Sequence, residues 1–524
     1  MRVRPTHSEV LAGIKNQGSL NGFAKSIGVP RRTVRDWKVS ALKRMNMCRV
    51  DQEGNYPVRS YIITAAQIDT DVNKKFLENL ETFAKHKNAE IIIPGITYNV
   101  KGMGHNGTGD ADKKFRSEWF DKSIKKYLFN KRIKLNDKIE VLGNLNILPT
   151  AVNPLSGYQT FTGSSSAVLP HPKIAFESVA TSPTKLAKFL LTCGSVTVPN
   201  FMQKNAGIKG EFHHQFGAVI VEVIGNKKFH ARHVLADDDG SFYDLTDFYN
   251  KGKRTTGHRV ESIVWGDIHM EDLDPHVNKA SWTNPDNLLD TLKPKHQFFH
   301  DLLDFKYRNH HNREDDLFMK RMKGKSVAKE VKNCVNFLNS TSRGWCKSVV
   351  VASNHDNAYT RWVRETTHRE EPDLDNAIFL LASQLHLYQG TKINPEFSPN
   401  LFKWAAEQMH VNPYITFLDS DQSYKVNKIE CGMHGDKGIN GSRGSIKAFA
   451  KIGTKCHIGH SHSAHIFEGA MQAGCSRTIN ADYTSGPSSW SHTHIVQYKS
   501  GKSTLITCIG EDYYRGTVKE AKVW

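Results

Sequence analysis

Five short polar motifs between Asp267 and His462 constrain the fold of this chain most, because each stands directly after an apolar run. They read Gly266-Asp267-Ile268-His269, Asp301-Leu302-Leu303-Asp304, Ser353-Asn354-His355-Asp356, Met433-His434-Gly435-Asp436 and Gly459-His460-Ser461-His462. Four of them follow strand-like segments: Ser262-Ile263-Val264-Trp265, Ser348-Val349-Val350-Val351, Ile429-Glu430-Cys431-Gly432 and Cys456-His457-Ile458. The second follows Phe298-Phe299-His300 and is expected to open a loop or a helix. In α/β sheets, ligand sites gather at the carboxyl ends of strands, so polar tips far apart in sequence can converge in space. The expected class is therefore α/β. The side chains on offer are imidazole, carboxylate and carboxamide, without a thiolate. Such a set suits borderline-to-hard divalent cations, with manganese, iron and zinc as the candidates.

In their order and residue types the five motifs resemble the calcineurin-like metallophosphoesterase superfamily. That superfamily's motifs run Asp-x-His, Gly-Asp-x-x-Asp, Gly-Asn-His-Asp/Glu, a single His, and Gly-His-x-His. The likeness spans residues 260–500 and departs in two places, with His300 and Ser353 standing where the pattern has Gly. Neither is expected to supply a ligand. The resemblance implies a metallophosphoesterase-type αββα sandwich over residues 256–524 and two divalent metal ions, Mn2+ first, with Fe2+ or Zn2+ as alternatives. One ion would be held by Asp267, His269, Asp301 and His462, the other by Asp301, Asn354, His434 and His460, with Asp301 shared. His355 would face the substrate, and Asp356 would orient it or balance its charge. The implied reaction is two-metal hydrolysis of a phosphate ester. Among the other histidines, His492 and His494 are expected to be structural or substrate-lining, while His213, His214, His230, His233, His310 and His311 stay outside the site.

The rest of the chain bears on the substrate. At 524 residues it exceeds one core, which predicts two to four domains. Residues 1–55 resemble a helix-turn-helix. Ser19 caps a first helix with Phe23, Ala24 and Ile27 on its apolar face, Gly28-Val29-Pro30 turns the chain, and a second helix carries Val34, Trp37 and Leu42. In that motif the N-terminal residues of the second helix enter the major groove, here Arg31, Arg32, Thr33 and Arg35. Residues 1–59 hold 12 Lys or Arg against 4 Asp or Glu, a balance of +8, within a net charge of +18. Excess of that size favours a polyanionic partner.

Residues 56–255 read as an α/β domain of unassigned role. Strands are expected at Tyr61–Ala66, Glu90–Ile93, Ile139–Leu142 and Ala218–Ile224, a helix over Asn73–Lys87, and a loop over Asn153–Pro172. Within Lys113–Lys134, Phe120, Ile124 and Tyr127 fit the buried stripe of a helix with a basic outer face. Residues 357–424 are expected to cap the site. The 8 cysteines lack a Cys-x-x-Cys pair and read as free thiols of a reducing compartment. With no apolar run near ~18 residues and no signal peptide, the expected location is cytoplasmic, the host cytoplasm if the chain is phage-encoded. DNA is the expected partner, a membrane is not, and a homo-oligomer is left open. The function expected is that of a manganese-dependent DNA nuclease, resembling SbcD-type repair nucleases and phage nucleases that degrade host DNA. The alternatives are a phosphatase or nucleotidase on small esters, and a DNA-binding regulator with a structural phosphoesterase domain.

Overall fold

The computed structural model describes residues 16–17, 20–30, 32–34, 58–97, 119–182, 187–394, 396, 399–479 and 486–510. Two large sheets dominate it. In the first, strands β1 (Ser262–Val264), β2 (His296–Phe299) and β3 (Lys347–Val350) lie side by side and parallel. Thr416–Phe417 extends this sheet beyond β3, and Thr493–Gln497 and Ser503–Thr507 add antiparallel strands beyond β1, making six. The second sheet has ten strands. It holds β4 (Ile429–Glu430) and β5 (Cys456–Ile458), which are parallel neighbours.

Alternation along each strand sorts side chains to opposite faces. In the six-stranded sheet Val264, Phe298 and Val349 face a core shared with Ile429, Cys431, Ile466, Val168 and Leu191 of the ten-stranded sheet. On the other face, Ile263, Phe299 and Val350 meet helices. These are α1 (Val327–Thr341), α2 (Asn354–Glu365), α3 (Leu374–Ile393) and α4 (Leu401–Gln408). A short helix, Ile446–Phe449, covers Cys456, Ile458 and Ala470 on the outer face of the ten-stranded sheet. Around the motifs the two sheets pack face to face, with helices over the six-stranded one and one four-residue helix against the ten-stranded one, and the α/β class is as expected.

The ten-stranded sheet passes from residues 256–524 into 56–255 without a break. His465–Phe467 pairs antiparallel with Phe176–Val179, and Lys188–Thr192, Ser166–Leu169, Ile139–Leu142 and Arg132–Lys134 follow. A further sheet of four strands takes the order Lys228–Leu235, Gly217–Ile224, Val58–Ile63, Ala89–Ile92. Its helix Lys74–Lys87 starts at Asn73, whose side chain accepts from the Phe76 amide at 3.0 Å, a standard N-cap.

Three expectations are corrected. Residues 153–172 are not all loop, since Ser166–Leu169 is a buried strand in which Ala167 and Leu169 face one core and Val168 the other. The described part of the basic-aromatic stretch forms a 3-10 helix of six residues, Lys122–Tyr127, not a longer α-helix, while the expected apolar stripe holds: Ile124 is buried, and Phe120 and Tyr127 pack partly buried against the same core. Most of residues 357–424 do not cap the site, although Asn357, Ser420 and Asp421 line a pocket with His434. Tyr359, Trp362, Leu380, Phe402 and Ala405 join the core over the six-stranded sheet instead, each from the apolar face its helix turns inward.

At the N-terminus, helix Leu20–Ser26 is followed by Gly28 in the left-handed region (φ 62°) and by helical residues Arg32–Val34. Phe23, Ala24 and Val34 make a small core there. Arg32 is exposed and Thr33 half-buried, while Ser19, Arg31, Arg35, Trp37 and Leu42 lie outside the described residues. The seven cysteines of the described part are buried and free, and no helix there is long and apolar enough to cross a membrane.

Candidate metal centre

The motif loops extend the strands they follow. Beyond β1 and β2 the ladder continues with the Ile268 amide donating to His300 O (3.0 Å) and the His269 amide to Asp301 O (2.7 Å). The Gly459 amide donates to His434 O at 2.7 Å and ties the fifth motif to the fourth. This brings residues nearly 200 positions apart to one edge of the sandwich.

Among the described residues four groups of potential ligands result, each with donor atoms within 4.8 Å of one another: Asp267, His300 and His434 form one, His269, Asp304 and His355 another, and the remaining two share a carboxylate. Those two are Asp267, His269, Asp301 and His462, and Asp301, His434 and His460. Asp301 belongs to both. His269 Nε2 lies 3.0 Å from His462 Nε2 and 3.6 Å from Asp301 Oδ2, and His462 Nε2 lies 3.3 Å from Asp267 Oδ2. On the other side His434 Nε2 is 3.2 Å from Asp301 Oδ2 and 3.0 Å from Asn354 Oδ1, and His460 Nδ1 is 3.2 Å from Asn354 Oδ1. All seven residues expected as ligands therefore stand together, in the grouping the motif order implies.

The donor chemistry fits cations. Both carboxylate oxygens of Asp267 are buried and make no hydrogen bond, and neither does His462 Nδ1. Burial, with Asp301 beside it, pushes the Asp267 carboxyl up to about 6. Leaving a buried carboxylate without donors costs several kcal/mol or raises its pKa, and a bound cation removes that cost. The imidazoles of His269 and His462 turn Nε2 atoms toward each other. His269 Nδ1 donates to Asp304 Oδ1 at 2.7 Å, which leaves its Nε2 a lone pair to offer.

The backbone is shaped for the same end. His269 (φ 46°), Asp301 (43°), His460 (74°) and His462 (59°) all adopt left-handed conformations. For residues with a Cβ these cost about 1–2 kcal/mol each, and they concentrate at functional sites. At Gly459 a Cβ would come within 2.2 Å of Asp267 Oδ1, so the carboxylate occupies the space a side chain would need.

Four supporting residues had little or no assigned role in the motif reading. Asp304 accepts from His269 Nδ1 and lies 3.2 Å from His355 Nδ1. Burial opposes its charge, but His269 and His355 outweigh that and hold the carboxyl well below the usual range. Its place in Asp301-Leu302-Leu303-Asp304 was the available signal. His300 stacks against His434 with Nδ1 atoms 3.3 Å apart. Burial, then the charge of His434, push it down to about 3, so it is a neutral ring placed to accept from His434 Nδ1. His494 accepts from the Gly266 amide (3.0 Å) and meets Ser281 Oγ (3.0 Å), anchoring the turn before Asp267. Arg477, fully buried, pairs with Asp272 and lies over Trp490, whose ring packs edge-on against His462 at 4.3 Å.

Ser353 explains its own departure from the Gly pattern. It is the N-cap of α2, where its Oγ accepts from the Asp356 amide and lies 2.8 Å from Asp356 Oδ2. Asp356 itself is buried behind the site, with Oδ1 accepting from the Leu303 amide at 3.0 Å, so it holds the Asp301 loop. Asn354 and His355 open α2, and the His355 amide points at Asp301 Oδ1 (3.4 Å). The His355 side chain is partly exposed with Nδ1 3.2 Å from the Asp304 carbonyl. Burial lowers its pKa, but Asp301 and Asp304 outweigh that and push it up to about 10.

No family model matches this sequence, and no solved structure matches it. A relative does: Protein A1 of Escherichia phage T5 is 34% identical over 516 residues, covering 96% of this chain and 88% of that protein. With near-complete coverage at that identity, the chain belongs to the family of phage T5 Protein A1.

Proposed function

We propose that this protein is a two-metal phosphoesterase of the calcineurin-like kind, acting on DNA as a manganese-dependent nuclease. The observation that carries the reading is the shared carboxylate. Asp301 sits between Asp267, His269 and His462 on one side and Asn354, His434 and His460 on the other. The two sheets packed face to face, with helices over the six-stranded one, support it, in line with the layering that the motif resemblance implies.

Two divalent cations held in these groups would supply Lewis acidity and an activated water for attack on phosphorus. The chain's residues do the rest. Asp301 and the imidazoles fix the two positions, and the left-handed backbone keeps the ligands aimed. His355, with Nδ1 engaged by Asp304, has Nε2 available for a substrate oxygen. Held protonated by Asp301 and Asp304, it gives its proton to the leaving alkoxide.

The DNA assignment rests on charge near the site. Between the fourth and fifth motifs, residues 437–455 carry exposed Lys437, Arg443, Lys447, Lys451 and Lys455, and no Asp or Glu occurs from 437 to 467. Ile446 and Phe449 fasten the segment to the ten-stranded sheet and leave Lys447 exposed. A basic flank beside a phosphoester site supplies backbone contacts to a polyanion, and exposed Arg32 adds to them at the N-terminus. The family's phage member agrees with a phage setting.

The test compares linear and plasmid DNA with a small phosphodiester and a nucleotide, with Mn2+ and with EDTA. Expected is Mn2+-dependent cleavage of DNA that EDTA abolishes. Turnover of the small esters with DNA left intact would overturn the nuclease assignment.

A further inference from the structure

Helix α3 has two different faces. Asn376, Ala377, Leu380 and Ser383 are buried. Ser383 Oγ meets Tyr359 Oη of α2 at 2.6 Å, and Phe379 stacks on the Tyr359 ring. The opposite face shows Leu374, Ile378, Leu381, Leu385 and Tyr388 to solvent, each between 45% and 75% exposed. Their spacing of 4, 3, 4 and 3 is the a/d pattern of a helix seam. No charged residue lies between Asp375 and Lys392, although a solvated helix face ordinarily carries several.

We propose that a second copy of this chain docks on this face, as an antiparallel pair of α3 helices about a two-fold axis at Ala382–Ser383. The stripe is complementary to itself in that arrangement. Leu381 meets Leu385 of the other copy, Ile378 meets Tyr388, and exposed Ala382 at the crossing lets the backbones approach. Such an isologous contact closes on itself, so it ends at a two-fold and not a filament.

The charges choose the direction. Asp375 and Lys392 bracket the stripe about 25 Å apart at 1.5 Å per residue. An antiparallel pair brings each Asp375 beside the other copy's Lys392 at both ends, and opposes the helix dipoles. A parallel pair would set like charges together. Leu374, Ile378, Leu381, Leu385, Tyr388 and Ile393 together expose on the order of 600 Å² per copy, close to the ~800 Å² each partner contributes to a stable interface.

The test is sedimentation velocity on the full chain at micromolar concentration. Its readout is mass, which does not depend on the nuclease assignment. The wild type is expected as an even number of 59.2 kDa chains. L381E/L385E is expected with half as many and an unchanged melting temperature, because both positions are exposed. D375K and K392D should each weaken association at least ten-fold, and D375K/K392D together should restore it. A monomeric wild type, an L381E/L385E protein of unchanged mass, or a double charge swap weaker than either single one would overturn the proposal.

Discussion

His355 combines two properties that separate it from the ligands around it. It lies at the N-terminus of α2 with Nδ1 against Asp304, and its side chain is partly open to solvent while His269 and His434 are buried. Replacing it removes a proton donor without removing a ligand. We expect His355→Ala to lower kcat by about 10²–10⁴-fold while the Mn2+ content per chain, read by elemental analysis, stays that of the wild type; retained turnover would rule out the role. Gly459 behaves in the opposite way. Its substitution by Ala drives a methyl into Asp267 Oδ1, so metal content itself should fall by at least half, with activity lost in proportion. These two variants separate proton transfer from metal retention. At this scale the motifs made the seven candidate ligands legible, because imidazoles and carboxylates at strand ends announce themselves by residue type. His300 and His494 were not legible in the same way. Their roles depend on which neighbour each ring nitrogen meets, which is a tertiary fact.

Among the elements, those whose pattern answers to local physics could be read directly. Asn73 followed by an amphipathic stretch marked the helix Lys74–Lys87, and a β-branched run marked Gly217–Ile224, whereas the strand expected at Tyr61–Ala66 lies three residues earlier, at Val58–Ile63. Ser166–Leu169 was hidden because Ser, Gly and Pro around it signal loop, and only pairing on both sides with Ile139–Leu142 and Lys188–Thr192 makes it a strand. Residues 357–424 are expected only as a cap over the site, and their helices were missed in place, since an apolar face does not say which sheet it covers. The basic segment 437–455 is the element on which the substrate assignment turns. We expect Arg443→Ala, Lys447→Ala and Lys451→Ala together to weaken DNA affinity and to reduce the slope of log K against log salt by up to ~0.9 per lost phosphate contact. Hydrolysis of a small phosphodiester should stay within two-fold of the wild type. An unchanged slope, measured by fluorescence anisotropy of labelled DNA, would remove this segment from the interface.

For the molecule as a whole, the continuous ten-stranded sheet ties the metal centre to residues 56–255. His465–Phe467 pairs with Phe176–Val179, and Lys173 Nζ reaches Glu468 Oε1 at 3.0 Å. Cations held at the candidate centre would stabilise the folded chain, and part of the pH dependence of that effect follows from Asp267. Without cations the folded protein holds the Asp267 carboxyl up at about 6, against 3.8 for the group in an unfolded chain. A raised folded pKa means that this group's stabilising contribution is complete below about 3.8 and is lost as pH rises to about 6. The metal-free protein thus carries an uncompensated buried carboxylate at neutral pH. Cations bind the deprotonated form, so their stabilisation grows as the proton leaves. A cation at 100 times its dissociation constant contributes about 2.7 kcal/mol. We therefore expect the rise in melting temperature on adding Mn2+ to the EDTA-treated protein to be larger at pH 7.5 than at pH 5. Asp267→Asn should reduce that difference, because its amide has no proton to exchange with the metal, and leave the part that comes from His434, which must also release a proton to bind. Equal Mn2+ shifts at the two pH values, followed by calorimetry, would show that Asp267 does not hold the ion.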